Sequence, residues 1–101
     1  MPLRNWTIDL GEFQIVVRRF TEKGVLVDFL VALLAWDGEN FVCVTRYDFS
    51  HGFPHRDVLD RRGGLLYKRE FSESNYERIF TDAIHDCQKN FEEHARFFRE
   101  N

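Results

Sequence analysis

The polar chemistry of this chain is concentrated in one stretch, Arg46-Tyr47-Asp48-Phe49-Ser50-His51-Gly52-Phe53-Pro54-His55-Arg56-Asp57. It holds two of the four histidines, with two arginines, two aspartates and a tyrosine. Three kinds of chemistry fit those residue types. The first is cleavage of RNA without a metal. A base must take the proton of the 2′-hydroxyl and an acid must protonate the leaving oxygen, and histidine suits both tasks near neutral pH. His51 and His55 are the expected acid–base pair, with Arg46 over the developing phosphorane charge. Arg56 would hold phosphate, Tyr47 would stack a base or donate a proton, and Asp48 and Asp57 complete the substrate-facing set. The second is a metal site built from Asp48, His51, His55 and Asp57, which are ligand types for a divalent transition metal. His51 and His55 flank Gly52 and Pro54, so they do not share a helical turn as zinc-type histidine pairs do. This reading ranks below the first, and no cofactor is expected. The third is structural: a strand-end Arg and Asp pair with each other, and loop histidines donate to backbone carbonyls.

The elements that must position these residues can be read from the flanking sequence. Phe13 to Phe20 is rich in β-branched and aromatic residues and predicts a strand. Glu22-Lys23-Gly24 reads as a turn. Val25 to Trp36 is apolar on both alternating sets, interrupted by Asp28; such a run is a strand buried on both faces or a buried helix, and the flanking turns favour the strand. Asp37-Gly38 is a hairpin signal. Phe41 to Asp48 is the return strand, and its apolar character fades toward Arg46 and Asp48. Phe49 to Gly64 reads as a long loop, and loops of that length in small domains often carry function. Leu65 to Phe71 predicts a fourth strand. Ser74 with Glu77 matches a capping box. Tyr76, Ile79, Phe80, Ala83, Ile84, Cys87, Phe91, Ala95 and Phe98 then recur at helical spacing. His85 and His94 lie beside that stripe and are assigned no role.

The expected fold is therefore α+β: a four-stranded antiparallel meander over residues 12–71, with one long C-terminal helix over residues 73–99 packed on one face. At 101 residues the chain has the size of a single domain. Its balance of 44% hydrophobic and 31% charged residues is that of a folded protein, and eleven phenylalanines supply a core. The net charge of −3 excludes an overall basic field for unselective nucleic-acid binding. Only a local group, Arg61 and Arg62 with Lys68 and Arg69, could add a positive rim to Arg46 and Arg56. Cys43 and Cys87 show no metal-type spacing and read as free, buried thiols. No apolar run is long enough for a membrane helix and no signal peptide is apparent, so a cytoplasmic protein is expected. One helix covers one sheet face only. The second face predicts a homodimer or a cognate protein partner, or else an N-terminal segment with Trp6 and Ile8 folded across it.

Arg46-Tyr47-Asp48, followed by His51-Gly52 and by His55 with Asp57, resembles a group of small prokaryotic proteins of unknown function. Those proteins share an Arg-Tyr-Asp strand end and a His-Gly-x-x-His-x-Asp loop before a C-terminal helix. More distantly the same core is similar to the TumE-type toxins of toxin–antitoxin pairs. That pattern has Asn after the aspartate and paired histidines, where this chain has Phe49 and the single His51 and His55. The resemblance implies a protein that acts on RNA as a ribonuclease and is held by an antitoxin. The alternative is a non-enzymatic module that binds a partner, or itself, through an apolar sheet face.

Overall fold

The computed structural model describes residues 2–49 and 52–101. Six strands and one helix follow in chain order: β1 (Leu3–Asp9), β2 (Phe13–Glu22), β3 (Val25–Trp36), β4 (Phe41–Asp48), β5 (His55–Leu59), β6 (Leu65–Glu70) and α1 (Tyr76–Glu100). The strands form one antiparallel sheet in sequence order. The expected four-stranded meander is thus corrected to a six-stranded one. The two additional strands have identifiable causes. In β1, Trp6 and Ile8 alternate with Asn5, Thr7 and Asp9, a half-exposed edge pattern with little apolar content. In β5, the sequence His-Arg-Asp-Val-Leu lies inside what reads as a loop, because its polar side chains give no hydrophobic period.

Short turns fix the register between strands. Lys23 and Gly24 join β2 to β3 with φ of 52° and 77°. Such positive values at both central positions match the right-handed twist of the flanking strands. Asp37 Oδ1 accepts from the backbone N–H groups of Glu39 and Asn40, both at 2.8 Å, and closes the β3–β4 connection.

Register and contacts divide the central strand positions between two faces. Ile15 pairs with Leu33, Val17 with Val31 and Arg19 with Phe29. Across the next pair, Val31 meets Tyr47 and Leu33 meets Thr45. This set lies under α1 and forms the core with Ile79, Phe80, Ala83, Cys87 and Phe98 of the helix. Phe29 packs on Phe80 and Phe49, with ring centroids 5.6 and 5.1 Å apart. Trp6 meets Phe80 from the edge strand at 6.3 Å. The N-terminal segment therefore extends the sheet and turns Trp6 toward the helix. It does not fold across the second face as the alternative expectation had it.

The cap of α1 also differs from the expected Ser74–Glu77 box. Asn75 is the N-cap, and its Oδ1 accepts from Arg78 N at 3.2 Å. Glu77 is engaged instead by the Arg19 guanidinium through both carboxylate oxygens. The helix is kinked at Asn90, whose φ of −119° and ψ of 21° leave the helical range. Both cysteines are free thiols: Cys87 is buried, whereas Cys43 is only half-buried. Among the described residues no helix is long and apolar enough to cross a membrane.

Candidate functional site

The pairing of β4 with β5 builds the site. Arg46 stands opposite Asp57, and Asp48 stands opposite His55. Residues two apart on a strand share a face. All four side chains therefore project to the side away from α1, the face left open by the helix. Lys68 of β6 pairs with Asp57 and joins them there.

The contacts within this group are ordered by oxygen. Arg46 Nε lies 3.0 Å from Asp57 Oδ2 and 3.8 Å from Asp48 Oδ2. The other oxygen of each aspartate turns to His55: Nε2 is 2.6 Å from Asp48 Oδ1 and 3.5 Å from Asp57 Oδ1. Lys68 Nζ stands 3.9 Å from Asp57 Oδ1. His55 is 1% exposed and Asp57 3% exposed, on an otherwise open face. Phe53 lies against the His55 ring, at 6.3 Å between centroids. Although Nε2 is close to two carboxylate oxygens, the direction of its N–H misses both. Neither ring nitrogen of His55, nor Asp57 Oδ1, has a hydrogen-bond partner among the described residues. Buried polar atoms without partners are rare and costly, and they concentrate at functional sites.

Asp48 also lies on the wall of a cavity of about 340 Å³. Its other walls include Arg18, Phe20, Asp28 and Leu30 on the same open face. Arg18 pairs with Leu30, and Leu30 pairs with Asp48. Two strand spacings, about 10 Å, therefore separate the Arg18 and Asp48 backbones. Asn5 Oδ1 accepts from Arg18 Nε at 3.1 Å and holds that side chain.

Not every expected site residue arrives at this face. Tyr47 and Arg56 alternate to the helix side and form a second polar group there. Tyr47 Oη donates to Asp86 Oδ2 at 2.7 Å. Arg56 donates from Nε to Thr45 Oγ1 at 3.1 Å, and its guanidinium lies 5.4 Å from the Tyr47 ring centre. His94 Nδ1 accepts from Arg56 at 3.3 Å, and His94 Nε2 donates to Asp86 Oδ2 at 2.8 Å. Arginine is only a donor, so this pair of bonds fixes the imidazole tautomer. Asn90 Nδ2 adds a third bond to Asp86, at 2.9 Å. Burial alone would raise the Asp86 carboxyl, but the bonds from His94, Asn90 and Tyr47 outweigh it and hold the group well below the usual carboxylate range. Burial first, and then the bond to Asp86, push the Tyr47 phenol above its ordinary value.

Four of the seven expected site residues thus converge: Arg46, Asp48, His55 and Asp57. Tyr47 and Arg56 are brought to the opposite face, and His51 lies outside the described residues. Two contributors gave no chemical signal in the sequence. Arg18 sits within β2, opposite Asn5 of β1, and reads as an ordinary surface charge. His94 reads as a helix-boundary residue; it follows Asp86 by eight positions and Asn90 by four, and the helix leaves helical geometry at Asn90 between them. Of the expected basic rim, Lys68 reaches the open face, whereas Arg69 stacks over Phe71 at 4.9 Å.

No curated protein and no solved structure matches the chain. A family model does, over residues 1–101, and it is described as a domain of unknown function, DUF7718. The match spans the full sequence, and the chain belongs to the DUF7718 family.

Proposed function

We propose that this is a toxin-like protein that acts on RNA, with Arg46, Asp48, His55 and Asp57 as its working cluster. One observation carries the reading. Four side chains able to bind phosphate and handle protons meet on one sheet face, and one of them, Asp48, lines a cavity that Arg18 also lines. Phosphodiester chemistry needs cationic donors near the phosphate, and the Arg46 side chain is 43% exposed, with its contacts to both aspartates made through Nε. Asp48 is the carboxylate of the cluster that faces the cavity, which Asp28 also lines. His55 stands directly behind it, too enclosed to touch a ribose itself, and serves the site through its neighbours.

The test is incubation of the purified chain with end-labelled RNA, beside Arg46→Ala and Asp48→Asn. Fragments from the wild type and none from the variants, at equal helix content by circular dichroism, support the reading. Equal fragment yields from all three proteins would remove it.

A second reading, a self-associating or partner-binding module, is favoured by β6. This edge strand is exposed along its whole length, with Leu65 and Tyr67 about half exposed. Edge strands with exposed apolar side chains are templates for pairing. Light scattering on the purified chain decides its homodimer form: a monomer at high micromolar concentration contradicts self-association.

A further inference from the structure

We infer that Asp48, His55 and Asp57 form a binding site for one divalent metal ion, manganese foremost. The inference deepens the RNA reading, because it concerns the same cluster, but it rests on separate geometry. The three candidate donor atoms, His55 Nε2 and an oxygen from each aspartate, all lie within 4.8 Å of one another. Ligands about 2.1 Å from one ion stand roughly 3.0 to 3.4 Å apart at octahedral or tetrahedral angles. The observed His55 separations of 2.6 and 3.5 Å bracket that range, so small side-chain shifts seat an ion.

The second observation is the state of the imidazole. His55 is buried, its Nε2 lies 2.6 and 3.5 Å from two carboxylate oxygens, and it makes a hydrogen bond through neither nitrogen among the described residues. A structural histidine in that position would direct an N–H at a carboxylate. A ring whose nitrogen and neighbouring oxygens converge without such a bond is arranged as ligands around a shared centre. Arg46 completes the pattern from outside. It takes Oδ2 of both aspartates and leaves Oδ1 of both toward His55. Outer contacts of this kind orient metal-binding carboxylates. Lys68, 3.9 Å from Asp57 Oδ1, is the group that an incoming cation displaces.

The donor set selects the metal class. Two carboxylates and one imidazole suit a first-row ion that accepts hard oxygen donors and tolerates one nitrogen. Three protein ligands leave positions for water or a phosphate oxygen, and Asp48 opens the site toward the cavity.

The test uses chelator-stripped full-length chain titrated with Mn²⁺, followed by calorimetry and by loss of the free Mn²⁺ paramagnetic resonance signal. One ion per chain is expected. His55→Leu and Asp57→Asn should each weaken binding at least 100-fold, and Arg46→Ala about 10- to 100-fold. Asp86→Asn, an acidic change on the helix side, should leave it unchanged. Circular dichroism of each variant confirms folding before titration. No Mn²⁺ binding by the wild type, or equal binding by folded His55→Leu, overturns the inference. RNA cleavage in EDTA by a wild type that binds no Mn²⁺ would remove the metal and leave the RNA reading standing. Mn²⁺ held by these residues with RNA left intact would do the reverse.

Discussion

Replacing His55 by leucine should make the metal-free protein more stable. The side chain is 1% exposed, so its whole volume is core volume. Leucine is of similar size and leaves little cavity. What it removes is a pair of buried ring nitrogens with no hydrogen-bond partner among the described residues. Each such atom costs about 1–3 kcal/mol when buried unpaired. Against this stands the loss of the ring's polar contact with two aspartates, which Arg46 and Lys68 still attend. The balance favours leucine by about 1–2 kcal/mol. For a domain near this size that raises Tm by roughly 5–10 °C. Thermal unfolding in EDTA, followed by far-ultraviolet circular dichroism, measures it, with a urea titration to confirm an unchanged m-value. Added Mn²⁺ should reverse the order, because a ligand at 100 times its Kd stabilises only the protein that binds it, by about 2.7 kcal/mol. A Tm for His55→Leu well below wild type in EDTA would refute the reasoning. It would show that the imidazole holds the aspartates together as a structural ion pair.

The helix-side network gives a pH dependence of definite sign. The folded Asp86 carboxyl lies below its unfolded value, so its contribution is complete above about pH 4 and is lost as pH falls toward the folded pKa. Asp86→Asn should therefore flatten the acid limb of a stability–pH curve. Tyr47→Phe removes the 2.7 Å bond to a charged, half-buried acceptor and should cost about 1–2 kcal/mol by urea titration at pH 7. Asn75→Ala removes the helix N-cap and should cost about 1 kcal/mol in the same assay. Phe29→Ala empties the centre of the aromatic core and should cost about 3–5 kcal/mol.

The sequence made some parts of this molecule plain and concealed others for physical reasons. β3 was legible because turn signals flank the apolar run Val25 to Trp36, whose own pattern fits a buried helix as well, and α1 because its apolar stripe repeats at helical spacing. β5 stayed hidden because His55 and Asp57, the residues that make the site, replace the apolar side chains that mark a strand. Local pattern fails at such positions because the chemistry displaces it. The grouping of Arg46, Asp48, His55 and Asp57 was legible as composition. Their common face was not, since it depends on the β4–β5 register. The same register separates Tyr47 and Arg56 from their sequence neighbours. Arg18 comes from an element far along the chain, and no local spacing connects it to Asp48; Asp86, Asn90 and His94 share helical spacing, but their meeting with Tyr47 and Arg56 depends on how the helix packs on the sheet.

The most direct test of the central claim is expression of the wild type in a bacterial host beside His55→Leu and Arg46→Ala, scoring growth and the integrity of total RNA. The account predicts growth arrest with RNA fragmentation for the wild type alone, while both variants accumulate as folded protein without arrest. Identical growth and intact RNA for all three would contradict it.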